Sequence, residues 1–192
     1  MPCAATSNTK TTSPALPLQR CEVCGLELHT ITPPDAVVAV RSYPRRYRAA
    51  LAGFDDPDVD ADAVVRRRPP TGGWSALEYA AHYRDVLALY EYRIGRVLAR
   101  DGVELESEDQ DVWAIDRAYN EQPVEEVLAA LATNAESMAA TIAGVPDDGW
   151  DRGGMREGER ITVLWMVQQT VHEGSHHLRD IQRILPEVLS RG

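Results

Sequence analysis

Apolar residues recur at spacings of three and four along four long stretches of the 192-residue chain, and no stretch alternates convincingly at period two. Four helices are therefore expected. The first opens at Pro33-Pro34-Asp35 and carries Val37, Val40, Tyr47 and Leu51. Pro44 lacks a backbone donor and is expected to kink or split it. The second has Ser75 as N-cap and Glu78 three residues on, a capping box, with Trp74 ahead of the cap as a staple. It runs to about Arg100, with Tyr79, Tyr83, Val86, Leu87, Tyr90, Ile94, Val97 and Leu98 on one core-facing arc. The third starts at Gln122-Pro123, proline standing in the first turn where its missing donor costs little. It repeats Val124, Val127, Leu128, Leu131, Ala135, Met138 and Ile142. The fourth begins near Ile161 and is expected to end at about Leu185, before Pro186. Between them, 55–62 read as an acidic loop, 66–73 as a surface linker, 112–119 as a short helical piece and 144–158 as a loop. The expected fold class is all-α: an antiparallel four-helix bundle over 33–186. A flexible tail at 1–19, a Cys-containing appendage at 20–32 and a C-terminal tail at 187–192 complete the chain.

Composition narrows the function classes. The hydrophobic share of 44% supports a packed core, and the length suits one domain. A formal net charge of −10 disfavours nucleic acid and anionic lipid as partners. The seven arginines between Arg41 and Arg68 keep nucleic acid as a minor option only. No apolar run is long enough to cross a bilayer and the first residues lack a signal-peptide core, so no membrane partner and a cytoplasmic location are expected. Nineteen arginines against the single Lys10, with many alanines, suggest a high-GC bacterial coding bias.

The chemistry-bearing residues are cysteines and histidines. Cys21-x-x-Cys24-Gly25 reads as one knuckle of a small zinc site, the glycine permitting the tight turn, with His29 as a third ligand. Closing such a site requires Cys3, a carboxylate or another subunit. A redox or disulfide pair and free thiols without a role are the alternatives. His172 and His176 lie about 40° apart on one helix face, so both rings can reach one ion. Trp165, Gln168, Gln169, Arg179 and Arg183 share their stripe, and the apolar residues centre on nearly the opposite side. His177, about 140° from His172, is the weaker candidate. The string His172-Glu173-Gly174-Ser175-His176 also fits HExxH, with Glu173 as general base. A peptidase is disfavoured because too little chain follows to supply a downstream ligand and no sheet edge is available to hold a peptide. His82, at the margin of the second helix's apolar arc, is the residue a bundle can bring against the pair.

The arrangement Gly73-Trp74-Ser75, Glu78, His82 and Asp85, followed by His172-x-x-x-His176, resembles the DinB-like superfamily of four-helix-bundle metalloproteins over about residues 35–186. The resemblance implies a divalent ion, zinc or nickel first and iron also accepted, held by His82, His172 and His176. Activities known in that superfamily include bacillithiol transferases and the mycothiol-dependent maleylpyruvate isomerase. Three imidazoles leave a position on the ion open, so a low-molecular-weight thiol or water can be activated there against a small-molecule substrate. Mycothiol is the thiol that the coding bias favours. Glu173 and Glu78 are candidate catalytic carboxylates, and Arg179 and Arg183 candidate binders of an acidic substrate or thiol cofactor. Solvent-facing carboxylates and surface ion pairs are the alternatives. The chain ends at the bundle without the isomerase subgroup's further domain, which disfavours maleylpyruvate. A thiol S-transferase or isomerase-like enzyme is therefore expected, with a non-catalytic metal-binding or stress-response bundle as the alternative. Related bundles often dimerise, which makes a homodimer a candidate assembly.

Overall fold

The computed structural model describes residues 20–52, 54 and 59–190. The expected tail at 1–19, Cys3, and residues 191–192 lie outside that range. Four long helices form the bundle: α1 (Pro33–Ala52), α3 (Ala76–Ala99), α5 (Val124–Ala143) and α6 (Val163–Leu189), with α2 (Ala61–Arg66) and α4 (Gln110–Asp116) in the connections. In the ring of four, α1 packs on α5 and α6, and α3 packs on the same two from the other side. Bidentate contacts of Arg41 with Glu136 and of Arg48 with Glu125 show that α1 and α5 run antiparallel. The same holds for α3 and α6, where Thr71 reaches Glu187 and Tyr90 packs on Trp165. Across the other two sides of the ring, α1 with α6 and α3 with α5, the helices run parallel.

Local signals explain most of these elements. Ser75 Oγ accepts from the Glu78 N–H and the Glu78 carboxylate accepts from the Ser75 N–H, closing the capping box of α3. Two prolines are overridden. Pro44 lies inside a continuous α1, because Tyr43, Tyr47 and Leu51 are buried on both sides of it and their packing outweighs one lost bond. Pro186 lies inside α6, which continues to Leu189 with Val188 buried. Residues 153–162, part expected loop and part expected helix start, form a two-stranded hairpin: β1 (Gly153–Arg156) pairs antiparallel with β2 (Glu159–Thr162). Glu157 and Gly158, at φ of 54° and 83°, make its two-residue turn.

The core beneath the site is aromatic. Tyr43, Tyr47 and Tyr83 are buried, Tyr47 stacked on Tyr83 at 5.2 Å and Tyr43 edge-on to it at 5.3 Å. They press on Gly174 of α6, where an added Cβ would stand 2.6 Å from Tyr43 and 2.7 Å from Tyr83. Tyr43 donates to the Val171 carbonyl at 2.8 Å and Tyr47 to that of Gly174 at 3.2 Å, so α6 is pinned at the level of its histidines.

The amino-terminal appendage is a small turned loop. Arg20 pairs antiparallel with Glu27, Cys21 N–H donates to the Leu26 carbonyl, and Gly25, at φ +76°, donates to the Cys21 carbonyl. A short 3-10 turn, Leu28–Thr30, follows, and Gln168 of α6 donates to the Ile31 carbonyl at 3.2 Å.

Candidate metal centres

One stretch of α6 presents two donor pairs at i, i+4, offset by a single residue: His172 with His176, and Glu173 with His177. Adjacent residues on a helix point about 100° apart, so the two pairs address different neighbours. The first faces the appendage. The second faces α3.

In the first cluster, donor atoms of Cys21, Cys24, His172 and His176 all lie within 4.8 Å of one another. Cys21 Sγ is 3.3 Å from His176 Nδ1. Burial pushes the Cys21 thiol up, but the Cys24 backbone and the rings of His172 and His176 outweigh it and hold it down at about 6. Burial, together with the neighbouring Cys21 sulfur, raises Cys24.

In the second, donor atoms of His82, Glu173 and His177 lie within the same 4.8 Å limit. Glu173 Oε2 is 2.9 Å from His177 Nε2 and 3.9 Å from His82 Nε2. The closer contact is not aligned as a hydrogen bond: His177 Nε2 and His82 Nδ1 are buried without a hydrogen-bond partner among the described residues. Burial works against a charged Glu173, but His172, His177 and His82 overcome it and hold the carboxyl far below the usual range. Burial pushes His82 down. His177, also opposed by burial, is raised by Asp180 and Glu173. This cluster borders a cleft of about 340 Å³ lined by Trp74, Tyr79, Asp111, His176, His177 and Asp180, among others. Trp74 donates to Asp111 at 3.0 Å, and its ring stands edge-on to His82 at 4.9 Å.

The three histidines expected to share one ion are thus divided. His82 joins Glu173 and His177, whereas His172 and His176 join the cysteine pair. The reason is rotational: the stripe of His172 turns away from the apolar side of α6 that meets α3, and His177 and Glu173 lie nearer that side. His29 is exposed in the 3-10 turn and belongs to neither cluster. Glu173 is central to the second cluster, but Glu78 is not in either one. It is buried in the capping box and ion-paired to Arg68. Arg179 is exposed, and Arg183 donates at 3.4 Å to Asp180, a residue of the cleft lining. Sequence reasoning undervalued His177 and did not single out Asp180. The signal for both was the spacing of Glu173, His177 and Asp180 along the margin of the buried face.

Residues 41–181 match the family described as the DinB superfamily. The chain belongs to that superfamily. Among solved structures, the DinB-type bundle is similar to YfiT from Bacillus subtilis, described as a probable metal-dependent hydrolase with an unusual four-helix bundle topology. The TM-score is 0.72 at 17% identity, over 81% of this chain and 88% of YfiT. None of the curated proteins matches the chain. No helix among the described residues of this DinB protein is long and apolar enough to cross a membrane.

Proposed function

We propose that the protein is a metal-dependent enzyme in which His82, Glu173 and His177 hold one divalent cation at the wall of the cleft, acting on a small-molecule substrate. The observation that carries the reading is the close but unaligned contact between His177 Nε2 and Glu173 Oε2, 2.9 Å apart in a buried site. Two ligands of one ion approach each other at about that distance without sharing a proton. A two-histidine, one-carboxylate set is a catalytic donor set, since it leaves at least one position free. A cation there supplies an activated water or thiol at neutral pH. The similarity to YfiT favours water, and the superfamily's thiol-dependent members keep a low-molecular-weight thiol such as mycothiol in view.

The chain's own residues supply the rest. Asp180 fixes the His177 ring through Nδ1 at 3.2 Å. The histidines around Glu173 keep it ionised, the state a ligand requires. Trp74 and Tyr79 wall the cleft with apolar surface, and Arg183, bonded to Asp180 of the cleft lining, offers a guanidinium to a carboxylate on the substrate.

The test is turnover of ester, amide and thiol-transfer substrates by protein loaded with zinc or nickel, beside His82→Ala and His177→Ala. Metal-dependent turnover lost in both variants supports the proposal. Metal-dependent stability with no turnover of any of these substrates assigns the cluster to a non-catalytic binder instead.

A further inference from the structure

We propose that Cys21, Cys24, His172 and His176 form a second, closed zinc site that clamps the amino-terminal knuckle onto α6. The four donors come as Cys-x-x-Cys from a turn and His-x-x-x-His from a helix, the ligand types and spacings of structural zinc. Tetrahedral bonds of 2.0–2.3 Å place the donors about 3.3–3.8 Å apart. Cys21 Sγ and His176 Nδ1 are 3.3 Å apart, and the whole group falls within 4.8 Å.

Both halves are preformed. The left-handed Gly25 closes the turn that brings both sulfurs to one side, with its N–H on the Cys21 carbonyl. On α6 the outward nitrogens of the two rings already face polar partners. His176 Nε2 stands 3.5 Å from the Asp180 carboxylate, and His172 Nδ1 stands 3.7 Å from that of Glu173. Outer partners of this kind orient a metal-bound imidazole.

The appendage also needs an anchor. Val23 is exposed, and among the described residues of the appendage only Leu26 and Ile31 pack against the core, too little to hold a short hairpin in water. Four protein ligands leave the ion no free position, so its role is structural and distinct from that of the open cluster facing α3. The cysteines lie upstream of residues 41–181, so this site extends the DinB bundle rather than belonging to it. His176 also lines the cleft, and the clamp therefore fixes one of the cleft's walls.

Full-length protein carrying Cys3→Ser, purified with zinc, provides the test. Cys21→Ser with Cys24→Ser should lose one zinc equivalent per chain by elemental analysis, and should lose the same one equivalent when made in a His82→Ala, His177→Ala background. After exchange to cobalt, the parent should show thiolate-to-cobalt charge-transfer absorption that the serine variant lacks. An unchanged zinc content in the serine variant overturns the proposal. So does a parent without the charge-transfer band, which needs no variant to fold, or one whose intact mass is lower by two hydrogens, the mark of a Cys21–Cys24 disulfide.

Discussion

His177 and Asp180 are joined by a 3.2 Å hydrogen bond, and the same carboxylate oxygen stands 3.5 Å from His176. One side chain thus backs an imidazole of each cluster. Asp180→Asn removes the charge and keeps the shape, and losses behind metal-bound histidines amount to about 10–100-fold in affinity. We expect metal retention against a chelator to weaken at both clusters. Weakening at neither would separate Asp180 from metal binding.

Gly174 is expected to tolerate no side chain. In Gly174→Ala the new methyl group meets Tyr43 and Tyr83 at 2.6–2.7 Å, and both rings are buried with nowhere to retreat. Overpacking of this kind costs about 1–3 kcal/mol. Thermal unfolding should show a Tm lowered by several degrees.

Glu78 is expected to act on stability and not on metal content. Its carboxylate caps α3 and pairs with Arg68 in a site where Glu78 itself is 2% exposed. Glu78→Ala should cost about 1 kcal/mol or more, the usual value of a lost cap. Glu78→Gln, which preserves the capping box, should cost less. Denaturant midpoints rank the two, and zinc stoichiometry should be equal in both.

Asp85 links stability to pH. Burial raises its carboxyl, but Arg84, Tyr119 and Arg117 outweigh it and hold the folded value below the ordinary one. A depressed carboxylate contributes its full stability above the unfolded value, about 3.9, and loses it as pH falls toward the folded value. Asp85→Asn should therefore destabilise the protein at neutral pH by about 1–3 kcal/mol. Unfolding at acid pH should show a smaller difference between variant and parent, and a constant difference would contradict the linkage.

The long helices and the α3 cap were readable because their signals are local: Ser75 and Glu78 are three residues apart, and the apolar arcs follow helical periodicity. His82 stood out as a candidate for the same reason. The structure groups it with Glu173 and His177, one position along α6 from the expected pair, where two i, i+4 pairs overlap and spacing alone does not rank them. The apolar side of the helix did carry the distinction, since the His172 stripe points away from it. That Cys21 meets His176, 155 residues on, had no local trace. The hairpin at 153–162 was missed because four-residue strands with two glycines show no alternation. Pro44 and Pro186 misled because helix propensity yields to the burial of Tyr47 and Val188.

Both donor pairs ride on the same rigid segment of α6, so any swivel of that helix about its axis turns them through one common angle. Adjusting either centre alone must then come from the opposing side, through the knuckle for one and α3 for the other. Inserting or deleting one residue upstream of His172 within α6 would misalign the two centres together.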